Sequence, residues 1–176
     1  MKKLALSIMC ILISITITSC GNSNKNKDIS NNNPVISNNE NLQSPNPIVE
    51  YTTLSEAIKA CNFEFSVPDT IDGYEDKKYS VINTKTIQTI YYNKKSNAND
   101  NSLYIRKAFG TEDISGDYNN YEEINKLSLN NLEITTKGNN GKVSVATWTN
   151  GDYTFSITTN NPLDVEPLAE IISDVK

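Results

Sequence analysis

Histidine is missing from all 176 residues of this chain. Its absence removes Ser-His-Asp and Cys-His nucleophilic sites, His-Glu-x-x-His zinc motifs and most transition-metal sites. There is no Gly-rich phosphate loop and no Walker pattern. The one Ser-x-x-Lys match, Ser173 to Lys176, stands at the chain end, where fraying argues against catalysis. Cysteine is scarce, at three residues. Cys10 and Cys20 fall in the first twenty positions, so Cys61 is left alone and no intramolecular disulfide can form around it. No apolar run reaches the about 20 residues that a bilayer span needs. Positive charge is in deficit, with 16 Lys and Arg against 21 Asp and Glu, a net charge of −5. Losing Lys2 and Lys3 with a leader would make it −7, and Lys25, Lys27, Asp28 and Glu40 cancel, so the excess falls on residues 48–176. With no basic cluster, neither nucleic acid nor anionic lipid headgroups are expected as charge partners.

What is present begins at the N-terminus. Met1-Lys2-Lys3 is a small positive start, and Leu4 to Ile17 is an apolar run broken only by small hydroxyl residues and Cys10. A charged start, a short apolar stretch and small residues before a cut describe a secretory signal over residues 1–19. The cut site Ile17-Thr18-Ser19-Cys20 resembles the lipobox of bacterial lipoproteins. In that family the cysteine thiol receives diacylglycerol, the leader is removed before it, and the new amine is open to acylation. The resemblance implies a lipid-modified Cys20, palmitate or a similar chain in the bilayer, and a place on the extracytoplasmic face of the cell membrane. Each buried CH₂ adds about 0.8 kcal/mol, so two or three chains hold far more firmly than one.

Residues 20–47 carry the lipidated Cys20 and then mostly Asn, Ser, Lys and Pro. Such a composition buries too little apolar area to offset ordering, and reads as a disordered tether. Its r.m.s. reach is on the order of 30 Å. The composition changes from Ile48 onward, leaving residues 48–176 as one domain of ordinary size.

Thr53-Leu54-Ser55-Glu56 is a capping-box pattern, and Leu54, Ala57, Ile58 and Cys61 behind it make one helical stripe. That spacing aims Cys61 at the core, as a small buried hydrophobe rather than a reactive thiol. Strand-like runs follow at 79–83, 87–92, 103–109, 124–129, 132–136, 143–149 and 153–159. Polar and acidic loops separate them at 93–101 and 110–120. Asn130-Asn131 and Asn140-Gly141 are two-residue hairpin turns. Leu168, Ile171, Ile172 and Val175 form a closing helical stripe with Pro167 in its first turn. The expected fold is α+β: an antiparallel, curved meander sheet of about six strands, with an N-terminal and a C-terminal helix packed on one face.

Two stretches carry a further resemblance. SEAIKACNFEFSVPDTIDGY and ISGDYNNYEEINKLSLNNLEITTKGNNGKVSVATWTNGDYTFSI are similar, in order and spacing, to an uncharacterised Gram-positive extracytoplasmic family (domain of unknown function 4367). The resemblance runs from about Leu54 to Ile172 and departs at Asn130-Asn131, where Asn-Gly is expected. It implies the fold and the location, and no reaction.

Three aromatics are the candidate binding face. Alternation places Val143 and Val145 on one side of their strand and Ala146 and Trp148 on the other. If the valines face the helices, Trp148 lies outside, where Tyr91 and Tyr104 can join it. The acidic segments Asp69 to Asp76 and Glu112 to Glu123 match no EF-hand spacing and read as solvated loops rather than calcium sites. The expectation is therefore a non-enzymatic binding or sensor module with no metal or cofactor. Its partners are the bilayer, through acylated Cys20, and a protein or peptide. The alternative is a carrier that holds an apolar or cell-wall ligand between sheet and helices.

Overall fold

The computed structural model describes residues 46–93 and 101–176. The leader, Cys20, all but the last two positions of the tether, and most of the polar loop at 93–101 lie outside the described residues. The elements in order are β1 (Ile48–Tyr51), α1 (Leu54–Cys61), β2 (Asp76–Ile82), β3 (Thr86–Tyr92), β4 (Ser102–Phe109), β5 (Glu123–Leu129), β6 (Leu132–Asn139), β7 (Lys142–Asn150), β8 (Tyr153–Leu163) and α2 (Val165–Asp174). The fold is α+β, mostly antiparallel sheet with two helices. None of the described helices is long and apolar enough to cross a membrane.

The sheet has eight strands, not about six, in the order β1-β2-β3-β4-β8-β7-β6-β5. Every strand-like run named above is a strand, and Ile48–Tyr51 adds another. That segment is short and mostly exposed, so it carries no alternation to read. It is held by pairing along the edge of β2, from Ile48↔Ile82 to Tyr51↔Tyr79. The first helix is therefore the second element. The order also breaks the expected sequential meander. Strands β1 to β4 form one, β5 to β8 form another, and β4 joins β8 in the middle. Reaching β5 from β4 means crossing four strand spacings, about 19 Å, and residues 110–122 make that crossing.

Local chemistry explains the element ends. The Thr53 hydroxyl accepts from the Glu56 amide at 3.3 Å while the Glu56 carboxylate accepts from the Thr53 amide at 3.1 Å, a complete capping box. Asn130-Asn131 and Asn140-Gly141 all take positive φ, as two-residue hairpins require. The β2–β3 turn does the same with Asn83 (φ 51°) and Thr84 (φ 58°). A β-branched residue is strained there, by about 1–2 kcal/mol. Thr84→Gly is expected to raise stability by about 1 kcal/mol, read as a higher urea midpoint at unchanged slope.

Cross-strand register sorts the two faces. Val81 pairs with Ile87, Ile105 with Ile157, Ile157 with Ala146, and Phe155 with Trp148. These residues form one buried cluster that also takes in Ala57 from α1 and Leu168, Ile171 and Ile172 from α2. The opposite face is largely polar even where it is buried: Ser80, Gln88, Thr154 and Ser156 are all at or below 5 % exposure, with Val145 and Ala108 among them.

Candidate functional site

The three aromatics expected to share a binding face do not meet on one. Trp148 is 4 % exposed and stacks on Phe155 at 5.3 Å between ring centres, inside the main core. The expectation of an outward Trp148 is corrected by a bulge. The β7–β8 register shifts between Val143 and Val145, so Val143 joins the core cluster with Ala146 and Trp148. Val145 instead sits opposite Lys137 and Thr158. Strict alternation cannot see an inserted residue. Tyr91 is also a core residue, 1 % exposed, and its hydroxyl donates to the Pro68 carbonyl. Tyr104 lies on the polar face, half-buried, with the Arg106 guanidinium 5.2 Å from its ring centre.

Arg106, the chain's one arginine, organises that polar face. Its Nε donates to Gln88 Oε1 at 2.7 Å, and Gln88 Nε2 donates to Ser80 Oγ at 3.1 Å. Its Nη1 donates to the carbonyls of Ile114 and Ser115 in the crossing segment. The β8 hydroxyls repeat the pattern. Thr154 donates to Gly110 O (2.5 Å), Ser156 to Ile114 O (3.4 Å) and Thr158 to Ser115 O (3.0 Å). Residues 110–122 are thus a strap of irregular backbone laid across the sheet, with the carbonyls of Gly110, Ile114 and Ser115 satisfied by side chains below. Burial pulls the Arg106 pKa down, and Tyr104 and Asp113 push it back up.

The acidic residues of the strap are turn-formers. Asp113 Oδ1 accepts from the Ser115 amide at 2.8 Å, and Asp117 Oδ1 from the Asn119 amide at 2.9 Å. Burial would raise the Asp113 pKa, but hydrogen bonds from Ser115 and the charge of Lys137 hold it below the usual carboxylate range. No group of three or more metal-ligating side chains exists among the described residues. Cys61 packs against the core, and burial raises its thiol pKa, which lowers its reactivity.

Lys107 is a cation on the apolar face. At 7 % exposure it donates to Glu64 O at 2.6 Å and lies 4.5 Å from the Tyr153 ring and 5.1 Å from the Phe155 ring. It pins the segment after α1 to the sheet, and burial lowers its pKa. Tyr91 is shifted the other way: burial, then Tyr79 and Asp69, push its phenol well above the ordinary value of 10. The signs can be separated by pH. The lowered Lys107 pKa makes its contribution rise with pH up to about 10.4. Above about 10 an unfolded tyrosine ionises while folded Tyr91 keeps its proton, so stability falls, by up to about 1.4 kcal/mol per pH unit for this group. Urea midpoints between pH 9 and pH 12 are expected to drop, and Tyr91→Phe to flatten that drop.

Two concavities among the described residues carry acidic side chains beside apolar ones. One, of about 250 Å³, lies on the polar face between the strap and β6–β8. Of its three carboxylates, Asp113 and Glu133 are engaged by Lys137 at 3.5 Å and Lys126 at 2.6 Å, and Glu112 has no cation beside it among the described residues. The other, of about 360 Å³, lies between α2 and the 68–72 segment. Ile71, Leu163 and Ile171 supply an apolar floor, and Asp72, Glu170 and Asp174 an acidic rim. Among the described residues, no lysine or arginine stands within 4.0 Å of these three carboxylates. Lys77 bonds the groove residue Pro68 through its carbonyl at 3.4 Å, with its charge 3.9 Å from Asp69. The groove has one signal in the sequence, Glu170 and Asp174 four apart at the end of a helix with no basic residue in its last turn.

No protein-family model, curated protein or solved structure matches the chain.

Proposed function

We propose that the protein is a lipoprotein of the bacterial cell envelope, anchored through acylated Cys20 on the extracytoplasmic face of the membrane. Its β domain is a non-catalytic binding or sensor module on a long leash. The lipobox pattern Ile17-Thr18-Ser19-Cys20 supports the address. The observation that carries the binding role is the groove of about 360 Å³ between α2 and the 68–72 segment. Ligand sites are concave, with apolar walls and a few polar groups setting specificity, and this groove, at the small end of the range, pairs an apolar floor with an acidic rim.

A carrier of an apolar or cell-wall ligand is the second reading. The same groove favours it, because its floor residue Ile171 belongs to the buried core cluster. A ligand lying between sheet and helices would enter there and would need the packing beneath to part.

Cys20→Ala tests the address. The variant is expected to keep its leader and to lose the lipid mass, and a truncation starting at Gly21 to leave the membrane fraction altogether. A Cys20→Ala protein with the mass and membrane partition of the parent contradicts the anchor.

A further inference from the structure

We infer that the groove between α2 and the 68–72 segment takes an apolar side chain flanked by lysine or arginine, presented by a partner polypeptide. The inference rests on the binding-module reading and gives it a ligand class. The arrangement of charge carries it. Glu170 and Asp174 are four residues apart on one helix face, so they repel one another. Both lie toward the C-terminal end of α2, where the helix dipole is negative, and no basic residue sits in the last turn to relieve it. Asp72 adds a third carboxylate to the same groove. All three are exposed and lack an internal cation partner among the described residues. The fold therefore holds an unfavourable concentration of negative charge around an apolar floor.

A cationic occupant relieves that charge, and an apolar group between its cations removes the floor from water. The two carboxylates on α2 are separated by about 6 Å along the helix axis. In an extended segment a basic residue two positions from the apolar anchor shares its face about 7 Å away, so the anchor can meet the floor while the cation meets the rim. The volume of about 360 Å³ suits one anchoring side chain and its neighbours rather than a whole folded surface. A small polyamine supplies the charge but no apolar anchor, and so uses half of the site.

The test uses the full chain in neutral phosphatidylcholine vesicles and a fluorescent pentapeptide with a central leucine between two lysines on each side. Saturable binding at low salt is expected, weakening as salt rises. Glu170→Gln together with Asp174→Asn is expected to weaken it about tenfold. A serine in place of the central leucine is expected to weaken it about tenfold or more. The double variant keeps the parent's thermal midpoint or exceeds it, because it removes a repulsion and breaks no contact. No saturable binding, binding indifferent to the double variant, or equal binding of the serine peptide overturns the proposal. Displacement by spermidine at the leucine peptide's own half-saturating concentration also overturns it, in favour of a simple cation site. Flotation of the chain with the vesicles reports the anchor separately, so a failed address and a failed groove are told apart.

Discussion

Arg106→Met is expected to cost about 3 kcal/mol and to loosen residues 110–122 before the rest of the domain. The guanidinium joins Gln88 on β3 to the carbonyls of Ile114 and Ser115 in the strap. Methionine keeps much of the packing and none of the donors. Ser115 is 1 % exposed, so water does not readily replace the lost bond to its carbonyl. Stranding buried polar partners in this way costs about 1–3 kcal/mol per group. Arg106→Lys keeps the charge but not the planar fork, and is expected to recover less than half of the loss. Hydrogen exchange at the strap amides separates this account from general destabilisation. Exchange should quicken there by more than in β3 and β8, and a uniform rise across the sheet would contradict the clamp.

The second large effect belongs to Gly138. A Cβ at this position would stand 1.8 Å from the carbonyl oxygen of Lys142, in the neighbouring strand. The register of β6 against β7 shifts at Lys137/Gly138, which brings the two backbones together. Because the obstacle is backbone, relief means moving the hairpin and not a side chain. Gly138→Ala is expected to cost about 3 kcal/mol or more, at the upper end for overpacking. Gly141 gives the contrast. It lies in the same hairpin with φ +73° and nothing within 4 Å of its Cβ position. Gly141→Ala should therefore cost only the left-handed strain, about 1–2 kcal/mol. Equal costs for the two variants, measured by urea unfolding, would contradict the close approach.

The parts of the fold that rest on local rules were legible in the sequence. The capping box at Thr53 and Glu56, the stripe of α2 and the paired-asparagine hairpin are each set by residues within one turn of one another. The parts set by long-range geometry were not. The edge strand β1 exists because β2 offers it an edge, and nothing inside Ile48–Tyr51 announces it. The bulge that splits Val143 from Val145 inverts the reading of Trp148, since one extra residue exchanges the faces of a strand. The strap left a trace that alternation alone misreads. Thr154, Ser156 and Thr158 alternate along β8 beside the single arginine, which looks like a solvated face. Small hydroxyls with one fork-shaped donor also suit a face that must hold down irregular backbone, and the burial of Ser156 at 0 % shows which applies. Of the candidate site residues, Tyr104 alone is on the polar face, while Tyr91 and Trp148 stiffen the core beneath the helices.

Intact mass of the protein extracted from membranes tests the central claim most directly. A chain that begins at Cys20 and carries diacylglycerol, with or without a further acyl group, is the result this account predicts. An unmodified polypeptide of 19.6 kDa recovered from the cytosol would contradict it.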